Sequence, residues 1–118
     1  EPQARDFYEK LYVLGPNFHH LPDMLVPLVV DCGVNHGVKR ASQWLQRAVG
    51  AVVDGKIGPK TIGAAQAYPM VRTYLKICAM RVRFYGAIVG KDRSQARFAK
   101  GWNARAAKWL DRLADTLD

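Results

Sequence analysis

The sequence is poor in the residues that staple folds and bind metals. Its 118 residues hold two cysteines, Cys32 and Cys78, which excludes a disulfide-rich scaffold and a four-cysteine zinc site. Three histidines, His19, His20 and His36, carry no HExxH or Cys–His spacing, so no metal and no cofactor are expected. Glutamate occurs only as Glu1 and Glu9, and the chain has neither a Gly-Gly nor a Glu-Gly pair. No apolar run approaches the ~20 residues of a membrane-spanning helix. Ten glycines and six prolines are too few for a collagen-like or low-complexity chain. With 49% hydrophobic residues, one domain stabilised by its own core is expected over 1–118.

What is plentiful is positive charge. Eighteen Lys and Arg against ten Asp and Glu give +8. Residues 1–36 hold two basic and five acidic side chains, whereas residues 72–112 hold eleven basic and two acidic. A basic C-terminal half fits an anionic partner, whether nucleic acid, anionic lipid or a cell-wall polymer; it equally fits a solvated face. The chain opens on Glu1 and Pro2 with no initiator methionine, signal peptide or tag, and is expected to be a fragment, a processed form or a piece of a longer polypeptide.

Hydrophobic periodicity predicts an all-α fold of about six helices. Gln3–Val13 carries Phe7, Tyr8, Leu11 and Tyr12 on one side and stops at Gly15-Pro16-Asn17. A second helix is expected from about Leu21 to His36, with Leu25, Leu28, Val29 and Cys32 inward. Pro27 kinks it or moves its start to Asp23–Met24, and Gly37 is expected as a left-handed cap. Val38–Val49 repeats Val38, Ala41, Trp44, Leu45, Ala48 and Val49 at helical spacing. Residues 52–57 predict a tiny hairpin or tight loop around Asp54-Gly55, and Pro59 starts a helix to about Ala67. In Met70–Val89 the stripe is Val71, Tyr74, Leu75, Cys78, Val82, Tyr85 and Val89. Ser94–Leu117 reads as one or two helices, Gly101 marking a bend, with Phe98, Trp102, Ala106, Trp109, Leu110, Leu113 and Leu117 buried.

Candidate chemistry is sparse. Cys32 and Cys78 lie on apolar stripes and read as small hydrophobes; whether they pair stays open, and a Cys32–His36 thiolate has no further support. A glycosidase acid is usually a Glu or Asp with a raised pKa, but Glu1 is terminal and Glu9 lies on a charged face. Asp31 borders a core face with Asn35 one turn later, a spacing that suits structural hydrogen bonds first and a polar groove second. Residues 38–67 mimic a helix-turn-helix poorly, because the Gly50–Pro59 link is too long and Ile62–Gln66 offers few base-reading side chains. Nucleic acid is the disfavoured alternative.

The ordered residues Asp31-Cys-Gly-Val-Asn35-His-Gly37, Leu45-Gln46-Arg47-Ala48, Asp54-Gly55-Lys-Ile-Gly58-Pro59-Lys-Thr61, then Arg81, Phe84, Tyr85 and Gly101-Trp102-Asn103-Ala104-Arg105 resemble the C-terminal part of the phage-type N-acetylmuramidases, glycoside hydrolase family 108, once called secretion activator proteins. The resemblance runs from about Phe7 to the end. It implies a lysozyme-like helical lobe in which residues 1–25 end a catalytic segment and 26–118 form a peptidoglycan-binding region. It implies glycan strands as partner, a bacterial cell-wall location in the periplasm or outside the cell, and one wall of an active-site groove. Gly37, Gln46, Asp54, Gly55, Gly58, Pro59 and Thr61 fall in fold-defining motifs. Asp31, Asn35, Trp102, Asn103 and Arg105 are the substrate-binding candidates, since aromatic rings stack on sugars while amides and guanidinium groups bind N-acetyl and carboxylate groups; Trp102 equally fits the core. The family's catalytic Glu, in a Glu-Gly-Gly motif, is missing from this chain, so no catalytic residue is assigned.

Overall fold

The computed structural model describes residues 2–117; Glu1 lies outside them. Among the described residues the fold is all-α, without strands. The elements are α1 (Pro2–Glu9), a π-helical turn (Lys10–Leu14), a 3-10 turn (Phe18–His20), α2 (Val26–His36), α3 (Val38–Val49), α4 (Pro59–Ala67), α5 (Met70–Lys91), a second 3-10 segment (Arg93–Phe98) and α6 (Ala99–Thr116). Two units divide the chain, residues 1–74 and 75–118, the boundary falling inside α5. No helix is long and apolar enough to cross a membrane.

The core of the first unit is the α2–α3 pair. Leu25, Leu28, Val29 and Cys32 are buried, as are Ala41, Trp44, Leu45, Ala48 and Val49. Burial of this kind stabilises by ~25 cal/mol per Å² of apolar surface. The helix begins at Val26, not Leu21 or Asp23–Met24: Pro27 has no N–H to give and fits the first turn without a kink, while Leu25 N closes a turn on Pro22 O at 2.8 Å. Gly37 ends α2 and starts α3 with φ 96° and ψ 140°. The positive φ is there, but ψ 140° lies outside the left-handed helical region, a conformation that glycine adopts readily and other residues do not.

The first helix continues into a π turn, closed by Gly15 N on Lys10 O at 2.9 Å. Its apolar side stays largely uncovered, with Phe7 66% exposed. Residues 51–58 form the tight loop rather than a hairpin, and the reason is that a buried side chain, Gln46, satisfies the backbone groups that a partner strand would otherwise take.

In the second unit, Ile77, Cys78, Arg81, Tyr85, Trp109 and Leu113 are buried. The expected α5 stripe is therefore rotated: Leu75 and Val82 are exposed, and Ile77 with Arg81 takes their place. Phe98, Leu110 and Leu117 are likewise exposed rather than core. The break before α6 comes at Asp92, whose carboxylate accepts from Ser94 N and Oγ at 3.0 and 2.7 Å. Gly101 lies inside α6 and makes no break, since the Asp92 cap sets the interruption earlier.

Candidate functional site

Gln46 organises residues 46–61. It is fully buried. Its Nε2 donates to Asp54 Oδ1 at 2.8 Å and Lys56 O at 2.9 Å, and reaches Thr61 Oγ1 at 3.3 Å. Its Oε1 accepts from Gly55 N at 2.9 Å. Lys56 N also donates to Asp54 Oδ1, at 2.9 Å. That bond and the Gln46 amide hold the Asp54 carboxyl below the usual carboxylate range. Gly55 sits at φ 78°, and a Cβ there would lie 2.9 Å from Lys39 Cγ. Ile57 is buried behind the turn, and Asn17, itself at φ 66°, donates from Nδ2 to Ile57 O at 2.9 Å. The Asn17 side chain, 40 residues from Ile57 in sequence, and the Gln46 amide thus fix one loop.

Open depressions surround this latch within the first unit. One of about 290 Å³ lies between Pro16, Val38, Ser42 and Lys56. A second of about 480 Å³ shares Asn17 and Ile57 with it and extends to His20 and Gln66. A third of about 510 Å³ shares Gln66 and ends at Tyr68, Pro69 and Met70. On another side, a depression of about 780 Å³ is edged by Val52, Lys56, Lys60 and Thr61.

Asp31 and Asn35 stand together on α2. Asn35 Nδ2 donates to Asp31 O at 2.9 Å and to Asp31 Oδ1 at 3.2 Å. Asn35 is exposed and Asp31 half-buried, so the pair faces outward at the rim rather than the core. Trp102, Asn103 and Arg105 belong to α6 in the second unit. Trp102 is half-buried, its ring stacked on Tyr85 at 4.9 Å and 6°, so one ring face is already covered. Asn103 is exposed and Arg105 half-buried. Nearby, the Arg112 guanidinium lies 4.6 Å from the Trp109 ring.

Cys32 and Cys78 are both buried thiols, with no disulfide between them, and burial pushes the Cys78 thiol up to about 11 despite the Arg81 charge. Glu9 is exposed on α1. Among the described residues no three His, Cys, Asp or Glu side chains gather to hold a metal ion. The depressions along Ser42, Asn17, His20 and Gln66 were not legible as a site. Their residues come from separate segments, and although Gly55–Pro59 of the fold-defining motif help to line them, that motif, like Asn17 beside Gly15-Pro16, signals a turn rather than a site.

Comparison with known proteins bears on this geometry. No curated protein matches the chain. The solved structure of Brucella abortus SagA matches all of this chain at 28% identity with a TM-score of 0.83, and the chain spans 66% of that protein's length. The family described as "Predicted Peptidoglycan domain" matches residues 40–107, a stretch that contains both the Gln46 latch and Trp102–Arg105. By that match, which covers more than half of its length, the chain belongs to the predicted peptidoglycan domain family.

Proposed function

We propose that this chain is the C-terminal portion of a peptidoglycan-degrading N-acetylmuramidase of the glycoside hydrolase 108 type, endolysin-like and bacteriolytic, acting on the cell wall in the periplasm or outside the cell. Its task in that polypeptide is to bind the glycan strand and form one wall of the active-site groove. Residues 1–25 end the catalytic segment and 26–118 bind the wall. The observation that carries this reading is the family match over residues 40–107, which takes in the motifs from Leu45 to Arg105 that resemble the muramidases. Asp31 and Asn35 on one unit, and Trp102, Asn103 and Arg105 on the other, are the proposed glycan contacts. A carboxylate such as Asp31 repels phosphate, which favours an N-acetylated glycan over a nucleic-acid backbone.

Cleavage needs a carboxylic acid to protonate the leaving oxygen. The chain has no Glu-Gly-Gly, and Glu9 is an exposed side chain on α1. The isolated chain is therefore expected to bind purified sacculi and release no reducing sugar. Release that disappears in Glu9→Gln would overturn the division of labour. The same missing motif favours a second reading, a non-catalytic peptidoglycan-binding module. An upstream Glu-Gly-Gly in the gene supports the enzyme, and its absence supports the module.

A further inference from the structure

The depression of about 780 Å³ lies within the first unit and falls in the ~300–1,000 Å³ range of ligand clefts. Its accessible lining is mainly apolar, with Ala51, Val52, Pro59 and Ala64 in its walls. Val52 is 78% exposed, so this wall is open to a ligand as it stands. Three charged side chains line the same space, Asp54, Lys56 and Lys60, and all three are exposed. Asp54 Oδ1 is committed to Gln46 Nε2 and Lys56 N. The Lys56 charge acts on Asp54, so Lys60 carries the positive excess of the rim. Lys60 stands in the first turn of α4, which holds no acidic residue. The helix's own partial positive charge disfavours a cation there, and helix stability alone favours Asp or Glu.

From this combination we infer that the depression is a subsite for the stem peptide of peptidoglycan, the short, acidic, alanine-containing peptide that its sugars carry. The Lys60 ammonium donates to a peptide carboxylate, and Lys56 adds a second positive charge at the rim. Alanine methyls lie against Ala51, Val52 and Ala64, whose small side chains leave room for a peptide backbone. A sugar ring finds less here, because no aromatic side chain lines the depression for it to stack on. The loop's backbone stays in the latch, with Gly55 N and Lys56 O bonded to Gln46, and the contacts are made by side chains turned away from it. A loop held this way loses little entropy on binding. The subsite rests on the peptidoglycan-binding reading above and assigns the peptide part of that polymer to this place.

The test uses the full chain at one salt concentration, titrated with soluble peptide-bearing strands cut from sacculi. Every carboxylate of such strands belongs to the peptide, because the sugar's lactyl group is itself amide-linked to it. The same strands with those carboxylates converted to amides are the comparison. Lys60→Glu is expected to keep or raise the Tm, since it places an acid in the first turn of α4. It is expected to bind native strands about five-fold more weakly than wild type, the worth of one exposed ion pair, and amidated strands like wild type. Lys91→Glu makes the same charge change on the second unit and is expected to bind native strands like wild type. Val52→Ser is expected to weaken both kinds of strand about three-fold, because methyl contacts do not depend on the carboxylate. Wild-type affinity that amidation leaves unchanged overturns the subsite while keeping the peptidoglycan reading. Equal losses for Lys60→Glu on both strands, equal losses for Lys60→Glu and Lys91→Glu, or a Val52→Ser protein that binds like wild type also overturn the subsite. If wild type binds neither strand, both the subsite and the reading it rests on fall.

Discussion

Residues 46–61 and the helix α6 are built on opposite principles. In the first, one buried amide serves Asp54, Gly55, Lys56 and Thr61 at once, so the loop's backbone has little freedom left. In the second, a regular helix carries stacked and cation-facing aromatics, Trp102 on Tyr85 and Arg112 on Trp109, with most of its residues exposed. The loop is over-determined and the helix face is decorated. A motif as dense in hydrogen bonds as 46–61 defines a fold, and ligand contacts belong to the surfaces it holds in place. Mutations should therefore cost stability at the latch and affinity elsewhere.

The largest expected effect is at Gln46. Gln46→Leu strands Gly55 N–H and the Lys56 carbonyl and should destabilise by about 3 kcal/mol, read from urea denaturation. A loss below about 1 kcal/mol would show that the latch is not what fixes the loop. Gly55→Val comes next, at roughly 1–3 kcal/mol, because φ 78° is strained for a β-branched residue and its Cβ meets Lys39. Glycan binding should fall only as far as folding does. A Gly55→Val protein that keeps its Tm but loses affinity would put the loop itself in contact with ligand.

At the decorated surfaces the sign reverses. Asp31→Asn and Arg105→Ala should change stability by less than about 0.5 kcal/mol yet weaken binding to muropeptides, measured by titration calorimetry. If both variants unfold readily while the folded fraction binds like wild type, these residues are structural.

The smallest effect concerns acid. Asp54 has a lowered folded pKa, chiefly through Lys56 N–H and then Gln46. Its contribution to stability is therefore present above the unfolded carboxylate pKa, 3.8, and is lost as pH falls through the lower folded value. Wild type should lose more stability than Asp54→Asn between pH 5 and about pH 2. Parallel curves for the two proteins would remove Asp54 from the latch's energetics.

Legibility in the sequence followed the same division. The α2–α3 core could be read because its apolar residues recur at strict helical spacing, and α3 and α4 begin and end at glycine and proline signals. The α5 register could not, because the stripe includes Arg81. A charged side chain reads as solvent-facing, and only tertiary packing reveals that it is buried. Asn17 escaped for a related reason: it is an ordinary polar residue locally, and its hydrogen bond goes to Ile57 O, 40 residues away in the chain. The resemblance to the muramidases pointed to Asp31, Asn35 and Trp102–Arg105, which are legible as motif residues; the depressions beside the latch draw on Gly55–Pro59, whose local signal is a turn and a helix start.

The central claim, that this chain binds peptidoglycan without cleaving it, is most directly tested by co-sedimenting it with purified sacculi across a salt titration while assaying released reducing sugar. The account predicts saturable binding that persists at high salt, because hydrogen bonds and stacking rather than the +8 charge hold the glycan, with no sugar released. Binding that vanishes as salt rises, or that duplex DNA displaces, would contradict it.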